Sequence, residues 1–413
     1  MQNVARHEIV IVGAGAAGIS VAAGLLARSH ALDIALIDPA TTHYYQPGWT
    51  LVGGGVFRAE TTARPMASVL PRGVTHIAEA AIAFEPEVNT VRLADGRAVE
   101  YRQLIVCPGI ELDWNGIEGL TETLGRNGVT SNYRYDLAPY TWQLVQQMKR
   151  GSAVFTQPPI PIKCAGAPQK AMYLSADHWR RMGCLKNIEI AFYSAAPALF
   201  SVAAYIPALM EYIQRYNVDL NLGTKLVAVD GDAKRATFTR SAADNTVERF
   251  TRDFDMLHVT PPQRAPAFVR ASPLADAVGW IDVNPDTLAH KRYANIHALG
   301  DAINTTNSKT AGAVRKQAPV VAHNVLAALG KARGAAIYDG YGACPLTVER
   351  GRVVLAEFLY GGKLAPSFPL LNEGTRATRL AWMLKTHVLP FFYWNILLRG
   401  REWLVKPPVN MPD

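Results

Sequence analysis

From Glu8 to Val12 the chain is apolar after its first residue, and a glycine-rich hexapeptide follows at once. A continuous apolar run of that length predicts a strand buried on both faces, because a strand with one wet face alternates. Gly13-Ala14-Gly15-Ala16-Ala17-Gly18 predicts a tight turn, Ile19 to Arg28 a helix, and Asp33 to Asp38 the next strand. This is a βαβ unit. Glycines in such a turn let the backbone approach a pyrophosphate, which sits on the N-terminus of the following helix. Asp38 ends the second strand 20 residues after Gly18, where a carboxylate binds a ribose hydroxyl pair.

Further along, Leu104 to Val106 predicts a strand running into Cys107-Pro108-Gly109. Ser152 to Thr156 and Asn187 to Ser194 predict two more, with a helix from about Gln169 to Met182 between them. Asn295 to Ala302 reads as a strand ending in Gly300-Asp301, before a helix from about Thr310 to Leu329. Near the end, Thr375 to Lys406 mixes Leu380, Trp382, Phe391, Phe392, Tyr393, Trp394 and Trp403 with Arg376, Arg379, Lys385, Arg399, Arg401 and Lys406. Only thirteen residues separate Lys385 from Arg399, about 20 Å as a helix. A hydrocarbon core of about 30 Å is beyond that reach. Aromatic residues flanked by cations instead predict helices lying in a membrane interface, and a monotopic, peripheral protein.

Composition adds limits. With 413 residues, 49% of them hydrophobic, the chain can fill two or three domains. The balance of 42 basic to 34 acidic residues gives a net charge of +8, with the cations spread around the C-terminal apolar stretch. That suits an anionic membrane surface or small anions better than a nucleic-acid groove, and a peripheral place on the cytoplasmic face of the inner or plasma membrane is expected. The first apolar run is already used by the nucleotide motif, so no signal peptide is expected. Four cysteines, Cys107, Cys164, Cys184 and Cys344, form neither a disulfide framework nor a metal-like cluster. No metal is expected.

The strand, turn, helix and Gly300-Asp301 segments together resemble the flavoproteins with two dinucleotide-binding domains. That resemblance implies an α/β fold with two Rossmann-like units. A discontinuous FAD domain spans 1–150 and 279–334, and a second, inserted unit spans 151–278. A C-terminal unit over 335–413 holds a cysteine loop, a quinone site and interfacial helices. It also implies that Asp301 holds the FAD ribitol, and that the helix after it turns its positive end toward the flavin, with Lys309 adding charge. The second unit of such proteins binds NAD(P)H through its own glycine fingerprint. Here the strand from Ser152 is followed by Gln157-Pro158-Pro159-Ile160-Pro161-Ile162-Lys163-Cys164-Ala165-Gly166-Ala167-Pro168. Prolines offer no N–H to a pyrophosphate, so the nicotinamide site is expected to be lost.

Cys164 then stands where nicotinamide would dock, just before a helix and directly after Lys163, both of which favour a thiolate. Cys344, in Tyr341-Gly342-Ala343-Cys344-Pro345, reads as a loop residue; Cys107 and Cys184 read as packing residues. Ile162-Lys163-Cys164-Ala165-Gly166-Ala167-Pro168-Gln169-Lys170, His43 to Gly53, Cys344-Pro345-Leu346 with Leu355 to Phe358, and Pro390 to Asn395 are similar to the mitochondrial-type (type II) sulfide:quinone oxidoreductases. The resemblance spans the chain. It implies that Cys164 and Cys344 are the redox pair, with the persulfide on Cys344 and Cys164 facing the flavin. It implies cofactor contacts at Gly13, Gly15, Ala16, Ala17, Gly18, Asp38, Gln46, Ala81, Pro108, Gly109, Gly300, Asp301, Lys309, Thr310, Ala311 and Gly312. Phe358, Tyr360 and Phe392 are candidate walls of a quinone site. The implied partners are hydrogen sulfide, ubiquinone or a similar quinone, a sulfane-sulfur acceptor (glutathione, sulfite or a second sulfide) and a membrane surface, with homo-oligomers left open. A type II NADH:quinone dehydrogenase would need the missing fingerprint. A catalytically silent FAD-fold binding protein would have no use for the two thiols.

Overall fold

The computed structural model describes residues 4–241, 246–368 and 375–411; the ends of the expected units at 1–3 and 412–413, and the stretches 242–245 and 369–374, lie outside it. The first sheet begins with β1 (Ala5–Val12), α1 (Ala16–Arg28) and β2 (Ile34–Ile37), to which β3 (Val74–Ile77) and β4 (Ala98–Val106) add. All four strands are parallel, in the order β3-β2-β1-β4. Ile9, Val10 and Ile11 are fully buried, as an uninterrupted apolar strand in a parallel sheet should be. Ala81–Glu85 and Thr90–Leu93 form an antiparallel edge beyond β4.

The second sheet is built from β5 (Gly151–Gln157), β6 (Ile188–Ser194), β7 (Asp219–Leu222) and β8 (Met256–His258), with Val129–Thr130 at its edge; all are parallel. Between β5 and β6 runs α2 (Ala167–Arg181). The chain then returns to the first sheet as β9 (Ile296–Ala298), beside β4, and leads into α3 (Ala311–Ala328). The first sheet is therefore assembled from two separated stretches, with the second sheet between them in sequence.

Two helix starts differ slightly from the sequence expectation. α1 begins at Ala16, three residues before Ile19, with Gly15 extended at its N-cap. α3 begins at Ala311 because the Thr310 hydroxyl accepts the Ala313 N–H at 3.2 Å and caps the helix. Gly18 shows why the turn needs glycine. A Cβ there would lie 1.8 Å from the Gly13 carbonyl oxygen, a distance no side chain tolerates.

After α3 comes an antiparallel hairpin, β10 (Gly342–Glu349) and β11 (Arg352–Phe358), packed on α2 in one hydrophobic core with β5 and β6. Cys344 was expected in a loop, and instead it lies within β10 opposite Ala356. Pro345 does not break the strand because β10 is the edge of its sheet, where one N–H is dispensable. Beyond the hairpin, Arg379–Met383, a wide helical turn at Leu384–Val388 and α4 (Leu389–Asn395) follow without interruption. Among the described residues no helix is long and apolar enough to cross a membrane.

Candidate active site

The C-terminal ends of β1, β4 and β9 open on a cavity of about 600 Å³ that continues past α2 and the hairpin to the C-terminal helices. Its first part has the features a dinucleotide requires. Gly15, Ala16 and Ala17 line it where α1 starts, and no side chain caps that helix, so its first N–H groups are free for a phosphate. Asp38 also lines it. Its carboxylate accepts the Ala14 N–H at 2.6 Å and the Ala40 N–H at 2.8 Å, which orients the acid at the strand end. Pro108, Gly109, Gly300, Asp301, Thr310, Ala311 and Gly312 complete this wall, along with Gln46 and Lys309. Gly13 and Gly18 are outside the lining and act by shaping the turn. The residues present fit FAD: free helix-start N–H groups for its pyrophosphate, a placed carboxylate for a ribose, and a half-buried carboxylate at Asp301 for its polyol.

Lys309 differs from the charged helix start that the sequence suggested. Its ammonium is buried over the Trp280 ring, 4.0 Å from the centroid, and donates to the Asp301 and Ile303 carbonyls at 2.7 and 2.8 Å. Burial pushes it down to about 8. Its role in the fold is to tie the Gly300–Ile303 loop to the helix start. Burial raises the Asp301 carboxyl, while the charges of Lys163 and Lys309 oppose that rise.

Ala81 belongs to the antiparallel edge, opposite Leu93 and next to a bulge, and does not line the cavity.

The cysteine pair is assembled from two distant stretches. Cys164 follows β5 in the left-handed region, φ 51°, a conformation that costs a non-glycine residue about 1 kcal/mol or more. It is held there by its N–H on the Lys309 carbonyl (2.9 Å) and by its own carbonyl, which accepts the Ala167 N–H (2.7 Å) at the start of α2. Cys344 comes from β10. The two sulfurs lie 3.6 Å apart, and Gly166 makes this possible, since a Cβ there would sit 2.7 Å from the Cys344 sulfur.

The charge on the pair comes from residues the sequence reading left without a role. Lys163 points away, its ammonium donating to the Gln46 side-chain oxygen and lying 5.7 Å from the Trp49 and Tyr133 ring centroids. Lys170 takes its place. It is 2% exposed and its Nζ donates to the Cys164 sulfur at 3.1 Å. A hydrogen bond from the Cys344 thiol, with the Lys170 ammonium, holds the Cys164 thiol well below its ordinary range, against the effect of burial. Cys344, donating to that thiolate and buried, is pushed up. The pair is thus polarised, with the charge on Cys164. Lys385 is the second missed cation. Read from the sequence as an interfacial flank, it is 2% exposed, donates to the Pro47 carbonyl at 3.1 Å, and is lowered to about 7 by burial and then by Lys170. A helical step of six residues from Cys164 to Lys170 carries no signal, because Cys164 lies outside the helix.

Of the expected quinone walls, Phe392 lines the cavity and Phe358 and Tyr360 do not. Leu355 and Glu357 face the cavity from β11, so period-two alternation turns Phe358 to the other side, against Phe200. Tyr360 donates to the Pro285 carbonyl at 2.9 Å on the opposite side of the hairpin's end. Cys107 and Cys184 are buried, Cys107 facing the Gly13 carbonyl. The aromatic C-terminus divides: Tyr393 and Trp394 are core residues, Tyr393 sharing a 2.7 Å hydrogen bond with His43, whereas Leu380, Met383, Phe391, Trp403 and Leu404 are exposed.

Residues 7–144 match the family described as Pyridine nucleotide-disulphide oxidoreductase. The mouse protein named "Sulfide:quinone oxidoreductase, mitochondrial" is 38% identical over 395 residues, covering 96% of this chain and 87% of that one. A protein of the same name from Dictyostelium discoideum is 38% identical over 423 residues, covering 100% and 91%. In structure, the sulfide:quinone oxidoreductase from Aquifex aeolicus superposes with a TM-score of 0.80 over 96% of this chain and 92% of that one, at 19% identity, a likeness of fold. Identity of 38% to the mouse and Dictyostelium proteins over nearly the whole length, joined to a cavity that fits FAD, makes this chain a member of the sulfide:quinone oxidoreductase family of FAD-dependent enzymes.

Proposed function

We propose that this protein oxidises hydrogen sulfide at the Cys164–Cys344 pair and delivers the two electrons to a membrane quinone, releasing the sulfur to a small nucleophilic acceptor. The observation that carries this reading is the polarised pair: two sulfurs 3.6 Å apart, Cys164 on the wall of the dinucleotide cavity and Cys344 behind it, with a buried lysine on the Cys164 sulfur. When the two are joined, hydrosulfide attacks the Cys344 sulfur. The bridge breaks, Cys344 becomes a persulfide, and the electron pair of the broken bond leaves on Cys164. The direction follows from the polarity, because the sulfur that holds charge better is the better leaving group, and Lys170 stabilises it. A thiolate, sulfite or second sulfide then takes the outer sulfur from Cys344, and the bridge re-forms as two electrons pass on. FAD, when bound, supplies the two-electron acceptor between Cys164 and the quinone. Lys163, held on Gln46, and the capped start of α3 keep cations and N–H groups beside that part of the cavity.

An anaerobic cuvette tests the reading. The yellow protein is expected to bleach with sulfide and to stay yellow with NADH. Bleaching by NADH and not by sulfide would replace it with the NADH-dehydrogenase reading, which the prolines after β5 argue against.

Membrane docking is part of the same proposal. Phe391 and Trp403, 58% and 50% exposed, belong to the same stretch of chain as Arg376, Arg379, Arg399 and Arg401, and Phe392 and Trp403 line the far end of the cavity, where a lipid quinone would enter. Replacing both with Asp is expected to abolish co-sedimentation with anionic vesicles while leaving bleaching by sulfide intact. A double variant that still pellets would remove the docking surface from the proposal.

A further inference from the structure

The hairpin that carries Cys344 has a second, differently furnished face. Side chains alternate along a strand, so Cys344 and its partner Ala356 point toward α2, whereas the neighbouring pairs Ala343 with Glu357 and Pro345 with Leu355 point to the cavity beside α3. The packing there is close: a Cβ on Gly312, at the start of α3, would stand 2.8 Å from that of Ala343. Glu357 is 4% exposed; the Arg315 guanidinium acts on it through space without forming a close ion pair among the described residues. Its carboxylate instead gathers hydroxyl donors. Tyr341 donates to Oε1 at 2.5 Å, Ser367 donates its hydroxyl to the same oxygen, and the Ser367 N–H donates to Oε2 at 3.0 Å. Tyr341 is buried and lines the cavity; Ser367 is exposed at its mouth. Arg315, on α3, lines the same space and donates to the Trp403 carbonyl at 2.8 Å. A buried acid with one hydroxyl toward solvent and another toward an apolar cavity has the layout of a proton relay.

We propose that Ser367, Glu357 and Tyr341 form the path by which a proton reaches the quinone oxygen, so that one face of the hairpin serves sulfur chemistry and the other serves the acceptor. This rests on the function proposed above and assigns residues to its second half. Reduction of the quinone takes two electrons, drawn from sulfide oxidation, and two protons. For one of these, the Glu357 carboxylate, which accepts from Tyr341 at rest, first takes a proton from water through Ser367; the Tyr341 O–H then breaks as an O–H forms on the quinol, and the Glu357 carboxyl restores the phenol in the same movement. The carboxylate left behind is stabilised by the hydroxyl and N–H groups that surround it, and is reprotonated from water through Ser367. Burial and the neighbouring carboxylate both raise Tyr341, so it does not rest as a phenolate.

The test uses the full-length flavoprotein, reduced anaerobically with sulfide, and two acceptors. Decyl-ubiquinone needs protons and ferricyanide does not. Glu357→Gln and Tyr341→Phe are expected to be reduced by sulfide as fast as the wild type and reoxidised by ferricyanide equally fast. Reoxidation by decyl-ubiquinone is expected to slow about 10²-fold, the usual scale of a lost proton-transfer group. Decyl-ubiquinone binding to the oxidised variants, read by quenching of tryptophan fluorescence, should stay within about threefold of wild type. Variants reoxidised by quinone at the wild-type rate would overturn the relay. So would equal slowing with both acceptors, or loss of binding, since either marks a structural role. Should Glu357→Gln not fold, Tyr341→Phe decides by the same three readings. A wild type that quinone does not reoxidise would instead overturn the proposed function itself.

Discussion

Cys164→Ser is expected to lower sulfide-driven bleaching by on the order of 10³-fold or more while the protein still purifies with its flavin. The size follows from the role: an alkoxide is a far poorer leaving group than a thiolate and cannot re-form a sulfur bridge, so the reaction loses its pathway. Flavin retention follows from the architecture. The cofactor wall is built by the β1–α1 turn, the end of β4, and the loop from β9 to α3, none of which depends on the Cys164 sulfur. Cys184→Ser is the companion control. That thiol is 8% exposed, faces the Trp179 carbonyl in the core around α2, and stands outside the cavity. It should bleach at the wild-type rate. Stopped-flow absorbance under argon measures both, and near-normal bleaching by Cys164→Ser would remove Cys164 from the electron path.

Lys170→Met is the second large effect, and it has a sign in pH. In the native protein the Cys164 thiol is held down by the Cys344 hydrogen bond and the Lys170 ammonium, which favours its thiolate. The interaction is mutual: the charge of Cys164 raises Lys170 despite burial, which keeps the ammonium charged into the alkaline range. Removing the cation leaves burial less opposed, so the Cys164 pKa must rise and less thiolate is present at neutral pH. Bleaching should therefore fall on the order of tenfold to a hundredfold at pH 7. The ratio of variant to wild-type rate should climb as pH rises, because the variant, with the higher thiol pKa, recovers thiolate over a range where the native protein has less left to gain. Taking the ratio at each pH cancels the ionisation of sulfide itself. A ratio that stays flat from pH 6 to 9 would show that Lys170 acts through packing and not through charge.

Lys385 illustrates how composition misleads. Its place among tryptophans and arginines suggested an interfacial flank, yet it reaches the Pro47 carbonyl inside the protein, while the residues that do face outward are Phe391, Trp403 and Leu404. A basic side chain in an aromatic stretch carries no mark of which way it points. Helix phase alone does not settle it either, since the wide turn at Leu384–Val388 resets the phase between Arg379–Met383 and α4.

The local part of this protein was legible from the sequence. The β1–α1–β2 unit, the strands β5, β6 and β9, and the helix after Asp301 depend on apolar continuity, glycine and capping, which act over a few residues. So do the prolines that follow β5, which exclude free N–H groups wherever the chain goes. By contrast, the pairing of Cys164 with Cys344 is a contact across 180 positions, and from residues alone Cys344 looked like a loop cysteine; only resemblance joined the two. Lys170, Lys385 and the Tyr341–Glu357–Ser367 cluster were not visible at all. Their properties arise from burial, and burial is created when α2, α3, the hairpin and the C-terminal helices close on one another. The misplacement of Phe358 has the same origin. Alternation along β11 fixes that one of Glu357 and Phe358 faces the cavity, but which one depends on the side of the hairpin that meets α3, and that choice belongs to the tertiary structure.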